Sequence, residues 1–242
     1  MNGFKGFGSA VRELIGYRLN AAQAESFHWY AQELIAWNQR FNLTAIVDPV
    51  EIDIKHFLDS LTCLKVLEFR PPGRVVDIGT GAGFPGIPIK LLFPQFELTL
   101  LESIKKKVDF CQHIIDALGL EGVRVIHARA ETLGQDPDHR ERYDWGIARA
   151  VAIAPVLLEY LLPFIRVGGG AILQKGETGP AEMHQAESAL RILGAQVDQI
   201  QTIELPCVPE PRHIISVKKT AATPQQYPRR AGMAAKRPLK SA

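Results

Sequence analysis

The segment richest in chemistry is Val75-Val76-Asp77-Ile78-Gly79-Thr80-Gly81-Ala82-Gly83-Phe84-Pro85-Gly86, where a β-branched run closes on an acid and opens into alternating glycines. Glycines permit positive φ and let a ligand reach bare backbone, and a helix starting near Pro85 would offer free amides beyond them. Two ligand classes compete for such a loop. Gly81, Gly83 and Gly86 fit the G-x-G-x-x-G spacing that seats a dinucleotide's pyrophosphate on a helix N-terminus. Started two residues earlier, the run reads Asp77-x-Gly79-x-Gly81-x-Gly83, with a carboxylate at the strand's end. That charge opposes a diphosphate and suits S-adenosylmethionine, which carries an ammonium and a sulfonium and no phosphate. Asp77 is the discriminator, and it favours S-adenosylmethionine over NAD(P). Glu102, closing the next strand, suits the ribose hydroxyls that both ligands possess.

The third expected strand ends His127-Ala128-Arg129-Ala130-Glu131, which sets Ala130 and Glu131 beside an adenine. The fourth ends Ile147-Ala148-Arg149-Ala150, which sets Arg149 in the crevice where a substrate meets the methyl group. Methyl transfer from a sulfonium is an in-line displacement, so positioning the acceptor supplies much of the catalysis. No Asn/Asp-Pro-Pro-aromatic run follows that strand to hold an exocyclic amine. Pro206-Cys207 resembles a cytosine-methylating thiol motif but falls in the C-terminal hairpin, so Cys207 reads as structural. A guanine N7 has an in-plane lone pair and no proton to lose, and the lack of a visible base agrees with it. Arg149 has donor geometry for guanine O6 or for phosphate. Among N-terminal residues, Trp37 and Phe41 fall on an apolar stripe, while Asn38, Asn42 and His56 remain as substrate candidates. Lys105-Lys106-Lys107 reads as a solvated helix face.

These residues need elements to hold them. Asn20 can cap a helix whose Phe27, Tyr30, Leu34, Trp37 and Phe41 recur at spacings of three and four. Asp48-Pro49-Val50-Glu51 starts another, running through Ile54, Phe57, Leu58 and Leu61 and ending before Pro71-Pro72-Gly73. Strands follow at 74–78, 96–101, 123–127, 143–148 and 170–174, alternating with helices at 87–93, 103–118, 155–165 and 181–193. Alternation at these lengths predicts an α/β fold, a doubly wound, mostly parallel sheet covered on both faces. The last two strands, 196–205 and 213–218, have no helix between them and must form a hairpin, which puts one antiparallel strand in the sheet. The expected organisation is a helical cap over 1–72, a ligand-binding domain over 73–219 and a basic tail over 220–242.

The chain has 242 residues, of which 46% are hydrophobic and 22% charged, so whole-chain disorder is excluded. Three scattered cysteines make neither a disulfide framework nor a CxxC metal pair, which agrees with a reducing cytoplasm and no metal. No run approaches the roughly 20 apolar residues of a membrane span. The net charge of +2 conceals an asymmetry: the residues from Arg212 onward hold eight of the 28 basic side chains and none of the 26 acidic ones. A polyanionic partner near that end would be attracted to it. The tail after Lys219, rich in Pro, Gly, Ala and Gln, is expected to lack structure of its own.

Taken together, these segments resemble the glucose-inhibited division protein B family of 16S ribosomal RNA guanine-N7 methyltransferases, from about Ala31 to Lys218. The resemblance runs through Trp37-Asn38, Phe41-Asn42-Leu43-Thr44, His56-Phe57-Leu58-Asp59-Ser60-Leu61 and the glycine loop with its Gly83-Phe84-Pro85-Gly86 ending. It continues through Leu101-Glu102-Ser103, Ala130-Glu131, Ala148-Arg149-Ala150, Gln174-Lys175-Gly176 and Arg212-His213. It implies a class I S-adenosylmethionine-dependent methyltransferase fold, with cofactor contacts at Gly79, Phe84, Ala130, Glu131 and Arg149. Ser103 joins the cofactor side, and Lys175 and Arg212 the substrate side. Glu102 stands where other members often have Asp. The expected protein is a monomer in the cytoplasm acting on 16S rRNA or the 30S subunit, with Arg149 as its catalytic residue. The rival readings are an NAD(P)-dependent oxidoreductase and a non-catalytic RNA-binding protein that keeps a relic cofactor loop.

Overall fold

A computed structural model describes residues 4–67 and 73–239. Five helical elements come first: α1 (Phe7–Ile15), α2 (Ala21–Phe41), α3 (Pro49–Glu51), α4 (Asp59–Leu61) and α5 (Leu64–Leu67). Asn20 caps α2 with a capping box, its side chain accepting from Gln23 N while the Gln23 side chain accepts from Asn20 N. Asp48 accepts from Glu51 N at the next start, with Pro49 in the first turn. The helix that follows is α-helical only at its ends. Between α3 and α4, Ile52–Leu58 is π-helix, wound wider than the apolar spacing predicts. Pro71, Pro72 and Lys240 lie outside the described residues.

The rest alternates as expected: β1 (Arg74–Ile78), α6 (Gly86–Leu92), β2 (Glu97–Glu102), α7 (Lys105–Ala117), β3 (Val123–His127), α8 (Ala130–Leu133), β4 (Tyr143–Arg149) and α9 (Ala154–Leu161). A 3₁₀ turn, Leu162–Phe164, leads into β5 (Ile165–Lys175), and the expected helix 181–193 is two helices, α10 (Gly179–Gln185) and α11 (Glu187–Leu193), meeting at Ala186. β6 (Ala195–Leu205) and β7 (Val208–Lys219) form the hairpin, with exposed Cys207 in its turn. The strand order is β3-β2-β1-β4-β5-β7-β6, and β7 runs antiparallel to both neighbours. β1 and β4 run parallel, and the order in which strands are added reverses between them, so the crevice beyond their carboxyl ends is the place for a ligand.

Alternate strand residues feed two cores. Val75, Leu98, Leu100, Ile147 and Ile172 face the N-terminal helices, α6 and α7, while Val76, Ile78, Leu101, Ala148 and Leu173 face α9 to α11. The N-terminal helices share their core with the sheet, so the expected cap has no separate hydrophobic centre.

The tail does not lack structure. The Arg140 guanidinium collects the carbonyls of Thr223, Pro224 and Tyr227, and Gln135 takes those of Gln225 and Pro228. Arg229 pairs with the fully buried Glu159, and a last turn, α12 (Met233–Lys236), buries Ala234 against the domain. A tail poor in large apolar groups is ordered here by hydrogen bonds from a neighbouring domain, which composition does not report.

Candidate active site

Asp77 is fully buried beneath the glycine loop. Its Oδ2 accepts from Thr80 Oγ1 at 2.7 Å and from Gly86 N at 2.9 Å, tying both ends of the loop to β1. Burial pushes its carboxyl up to about 7, opposed by those two hydrogen bonds and by Arg149, and abetted by Glu102. Glu102 is equally occupied. One oxygen accepts from Gly81 N, the other from Ser103 N and Ile104 N. Gly81, at φ 62, has open space where a side chain would project, whereas a Cβ on Gly83 would lie 2.5 Å from Tyr30 Oη.

The helix N-terminus after the loop holds no free amides, contrary to the sequence expectation. Gly86 N donates to Asp77, Ile87 N to the Gly83 carbonyl and Ile89 N to the Pro85 carbonyl, while Pro88 has no N–H. Gly79 and Thr80 donate to the Leu101 carbonyl. A pyrophosphate would find its usual donors spent. Asp77 occupies one of these amides, that of Gly86, and backbone carbonyls take the rest, while its own charge is buried beneath the loop.

Two pockets open beyond the strands. The smaller, about 130 Å³, is walled by Ile78, Gly79, Leu101, Ser103, Ala130 and Glu131, with Val151 and Tyr160 opposite. Ends of three adjacent parallel strands, with a carboxylate from α8, are what a nucleoside requires. Glu131 accepts from Gly232 N of the tail at 2.9 Å. The larger pocket, about 510 Å³, lies against the π-helix, β4, β5 and β7, and includes Lys55, His56, Asp59, Arg149, Gln174, Lys175 and Arg212. Val151 lines both, so the pockets adjoin at the exit of β4, where Ala150 adopts φ 53.

The π-helix supplies the anchor for Arg149. Its carbonyls at Lys55 and His56 accept from Arg149 Nη1 at 3.0 and 3.3 Å, and Asp59 Oδ2 accepts from the same nitrogen at 3.0 Å. Arg149 Nη2 faces His56 Nδ1 at 3.3 Å, so that nitrogen is the acceptor and Nε2–H donates to Thr44 Oγ1. Burial, aided by the Arg149 charge, pulls the His56 imidazole down to about 3 and keeps it neutral. Its ring stacks on Phe84 at 4.5 Å, and Phe84 also packs on Tyr30 at 5.5 Å.

The expected residues thus divide. Gly79, Ser103, Ala130 and Glu131 line the smaller pocket, and His56, Arg149, Lys175 and Arg212 the larger. Asp77, Gly81, Gly83, Phe84 and Glu102 line neither; they build and brace the loop. Phe84 belongs to the buried aromatic cluster beneath it. Asn38 and Asn42 line neither pocket: Asn38 Oδ1 accepts from Leu43 N and Thr44 N, and Asn42 is the left-handed C-cap of α2. The Lys175 ammonium donates to the Ala152 carbonyl and pairs with Glu182 at 2.8 Å. Sequence reasoning missed Asp59 and Gln174. Both stood inside quoted motifs, where an acid in an apolar helical stretch and an amide at a strand's end were the available signals.

A sheet in this order with its penultimate strand position antiparallel, and a glycine loop closed to phosphates, defines a class I S-adenosylmethionine-dependent methyltransferase fold. Solved structures share it: TrmN from Thermus thermophilus (21% identical, TM-score 0.52, 67% of this chain and 48% of that one) and a SAM-dependent methyltransferase from Aquifex aeolicus (17%, 0.52, 70% and 93%). The family model GidB, rRNA small subunit methyltransferase G, matches residues 23–215. Ribosomal RNA small subunit methyltransferase G of Roseiflexus castenholzii is 48% identical over 93% of this chain and 95% of its own length. The protein of that name from Desulforamulus reducens is 45% identical over 92% and 93%. The chain belongs to the rRNA small subunit methyltransferase G family.

Proposed function

We propose that this chain transfers a methyl group from S-adenosylmethionine to the N7 of one guanine in 16S rRNA. The observation that carries the reading beyond family membership is the pair of adjoining pockets. One suits a nucleoside, the other has room for a nucleotide, and Val151 borders both. Gly79, Ser103, Ala130 and Glu131 would hold the cofactor's nucleoside, which when bound supplies an electrophilic sulfonium methyl. The closed loop amides and the open space at Gly81 fit a ligand without phosphates.

The remaining work falls to this chain's own groups. N7 needs no general base, and the neutral His56, committed to Arg149 and Thr44, offers none. Arg149 locks the π-helix to the end of β4 and keeps the two pockets in register, a positioning role in place of the expected catalytic one. Lys175, paired with Glu182, and Arg212, paired with Asp59, line the substrate side as donors with their charge balanced. The reading includes a cytoplasmic location, action as a monomer, and naked rRNA or the 30S subunit as partner.

The test is incubation of 30S subunits and of naked 16S rRNA, from cells lacking this gene, with methyl-labelled cofactor, followed by mass spectrometry of the nucleosides. Label in 7-methylguanosine at one position is expected. Absence of label from both substrates would favour the non-catalytic rival, and calorimetric binding of NAD without S-adenosylhomocysteine would favour the oxidoreductase.

A further inference from the structure

Among the described residues, four buried side-chain atoms have no hydrogen-bond partner, and three of them, Asp59 Oδ1, Gln174 Oε1 and Arg212 Nε, are on residues that line the larger pocket. Asp59 and Gln174 are each at least nine-tenths buried, and an acceptor left unpaired at that depth is costly. Their arrangement is ordered. Asp59 stands between the other two, its Oδ1 ion-paired with Arg212 Nε at 3.7 Å, beyond hydrogen-bond reach, and its backbone carbonyl accepting from Gln174 Nε2 at 2.6 Å. Gln174 Nε2 also donates to Thr62 Oγ1, which fixes the amide with Oε1 as the unpaired atom. The row therefore reads donor, acceptor, acceptor.

We infer that this row is a base-reading edge, in which Arg212 Nε donates to guanine O6, Asp59 Oδ1 accepts from N1–H, and Gln174 Oε1 accepts from the N2 amino group. The inference rests on the proposed guanine-N7 activity and adds how the base is chosen. Among the four bases, guanine alone presents acceptor, donor, donor along its Watson–Crick edge. Adenine and cytosine present a donor where Arg212 donates, and uracil presents an acceptor opposite Gln174. Holding guanine by this edge also leaves N7, on the other side of the ring, open to attack. Methylation puts positive charge on the ring and makes N1–H a stronger donor, so the Asp59 carboxylate binds the charged transition state more tightly than the ground state.

A second consequence concerns the RNA. A guanine read through its Watson–Crick edge cannot be base-paired, so the substrate is an unpaired guanine in a loop, bulge or single strand.

The experiment uses the wild-type protein and substrate changes, so folding of a variant is not at issue. Methyl transfer is measured on 16S rRNA carrying guanosine or inosine at the modified position. Inosine keeps N7, O6 and N1–H and lacks only the N2 amino group. It is expected to lower kcat/KM about tenfold or more, because Gln174 Oε1 stays buried and unpaired. Annealing an oligonucleotide complementary to the target segment should abolish transfer. Equal rates on guanosine and inosine, or transfer to the paired site, overturn the inference while leaving the activity standing. No transfer to guanosine in any form is the separate failure of the activity itself. As a protein-side check, Asp59→Asn must keep an acceptor toward Arg149 Nη1, which turns its amide toward N1–H. A kcat/KM reduced at least tenfold with unchanged S-adenosylhomocysteine affinity supports the row, and an unreduced kcat/KM removes Asp59 from it.

Discussion

Asp77 shows how much a single buried carboxylate can decide. In the folded chain it titrates near 7 where an unfolded aspartate titrates near 3.8, so between those values the folded state holds a proton that the unfolded state has released. Stability contributed by this group is therefore greatest below pH 3.8 and falls as pH rises to about 7, where the burial cost is fully felt. Asp77→Asn keeps an oxygen for Thr80 and Gly86 and carries no charge. Its melting temperature relative to the native chain should rise between pH 5 and pH 8, by about 3 °C or more. A difference that stays level with pH, read by calorimetry at several pH values, would show that the carboxyl is not protonated in the fold. Asp77→Ala removes both loop anchors and should weaken S-adenosylhomocysteine binding at least about tenfold, with RNA affinity less affected. Equal loss of both, with the fold intact, would contradict a role confined to the loop.

At the scale of elements, the decisive piece is the π-helix under Arg149. The Arg149 side chain is 13% exposed and its partner Asp59 6%, so the pair is effectively interior. Arg149→Met leaves two carbonyls unpaired and Asp59 with only the longer Arg212 ion pair, and should cost about 3 kcal/mol in urea unfolding, near the magnitude of breaking a buried ion pair from one side. A cost under about 1 kcal/mol would mean that the π-helix holds itself. Nothing in the sequence distinguishes this element, because Ile52, Ile54, Phe57, Leu58 and Leu61 are apolar at spacings an α-helix also satisfies. The strands were legible for the opposite reason. β1 to β4 are short apolar runs bounded by turn residues and punctuated by helices, and their observed bounds fall within a residue of expectation. The pockets were legible where a residue closes a strand, as with Arg149 and Glu131. They were illegible where a polar atom matters because burial leaves it unpaired, as with Asp59 Oδ1 and Gln174 Oε1, since burial is a property of the assembled fold.

Across the whole molecule, the basic tail holds two kinds of cation that composition cannot separate. Arg229 lies between the tail and α9, its guanidinium bonded to both oxygens of Glu159, which is fully buried. The turn it secures carries Gly232, whose amide holds Glu131 at the edge of the smaller pocket. Arg230, Lys236 and Arg237 are exposed. Arg229→Ala should therefore destabilise the fold by about 3–5 kcal/mol, because it leaves a buried carboxylate unpaired. It should also weaken S-adenosylhomocysteine binding severalfold, through the loosened Glu131, without altering the salt dependence of RNA binding. Joint replacement of Arg230, Lys236 and Arg237 by Ala should do the reverse. Stability and cofactor affinity hold, while the slope of log affinity against log salt shrinks by up to about 2, at roughly 0.7 per phosphate on single-stranded RNA. Urea unfolding, calorimetry and salt titration on the same two variants separate the roles. If Arg229→Ala moves only the salt slope, the tail is an electrostatic arm and its grip on the cofactor pocket has no energetic weight.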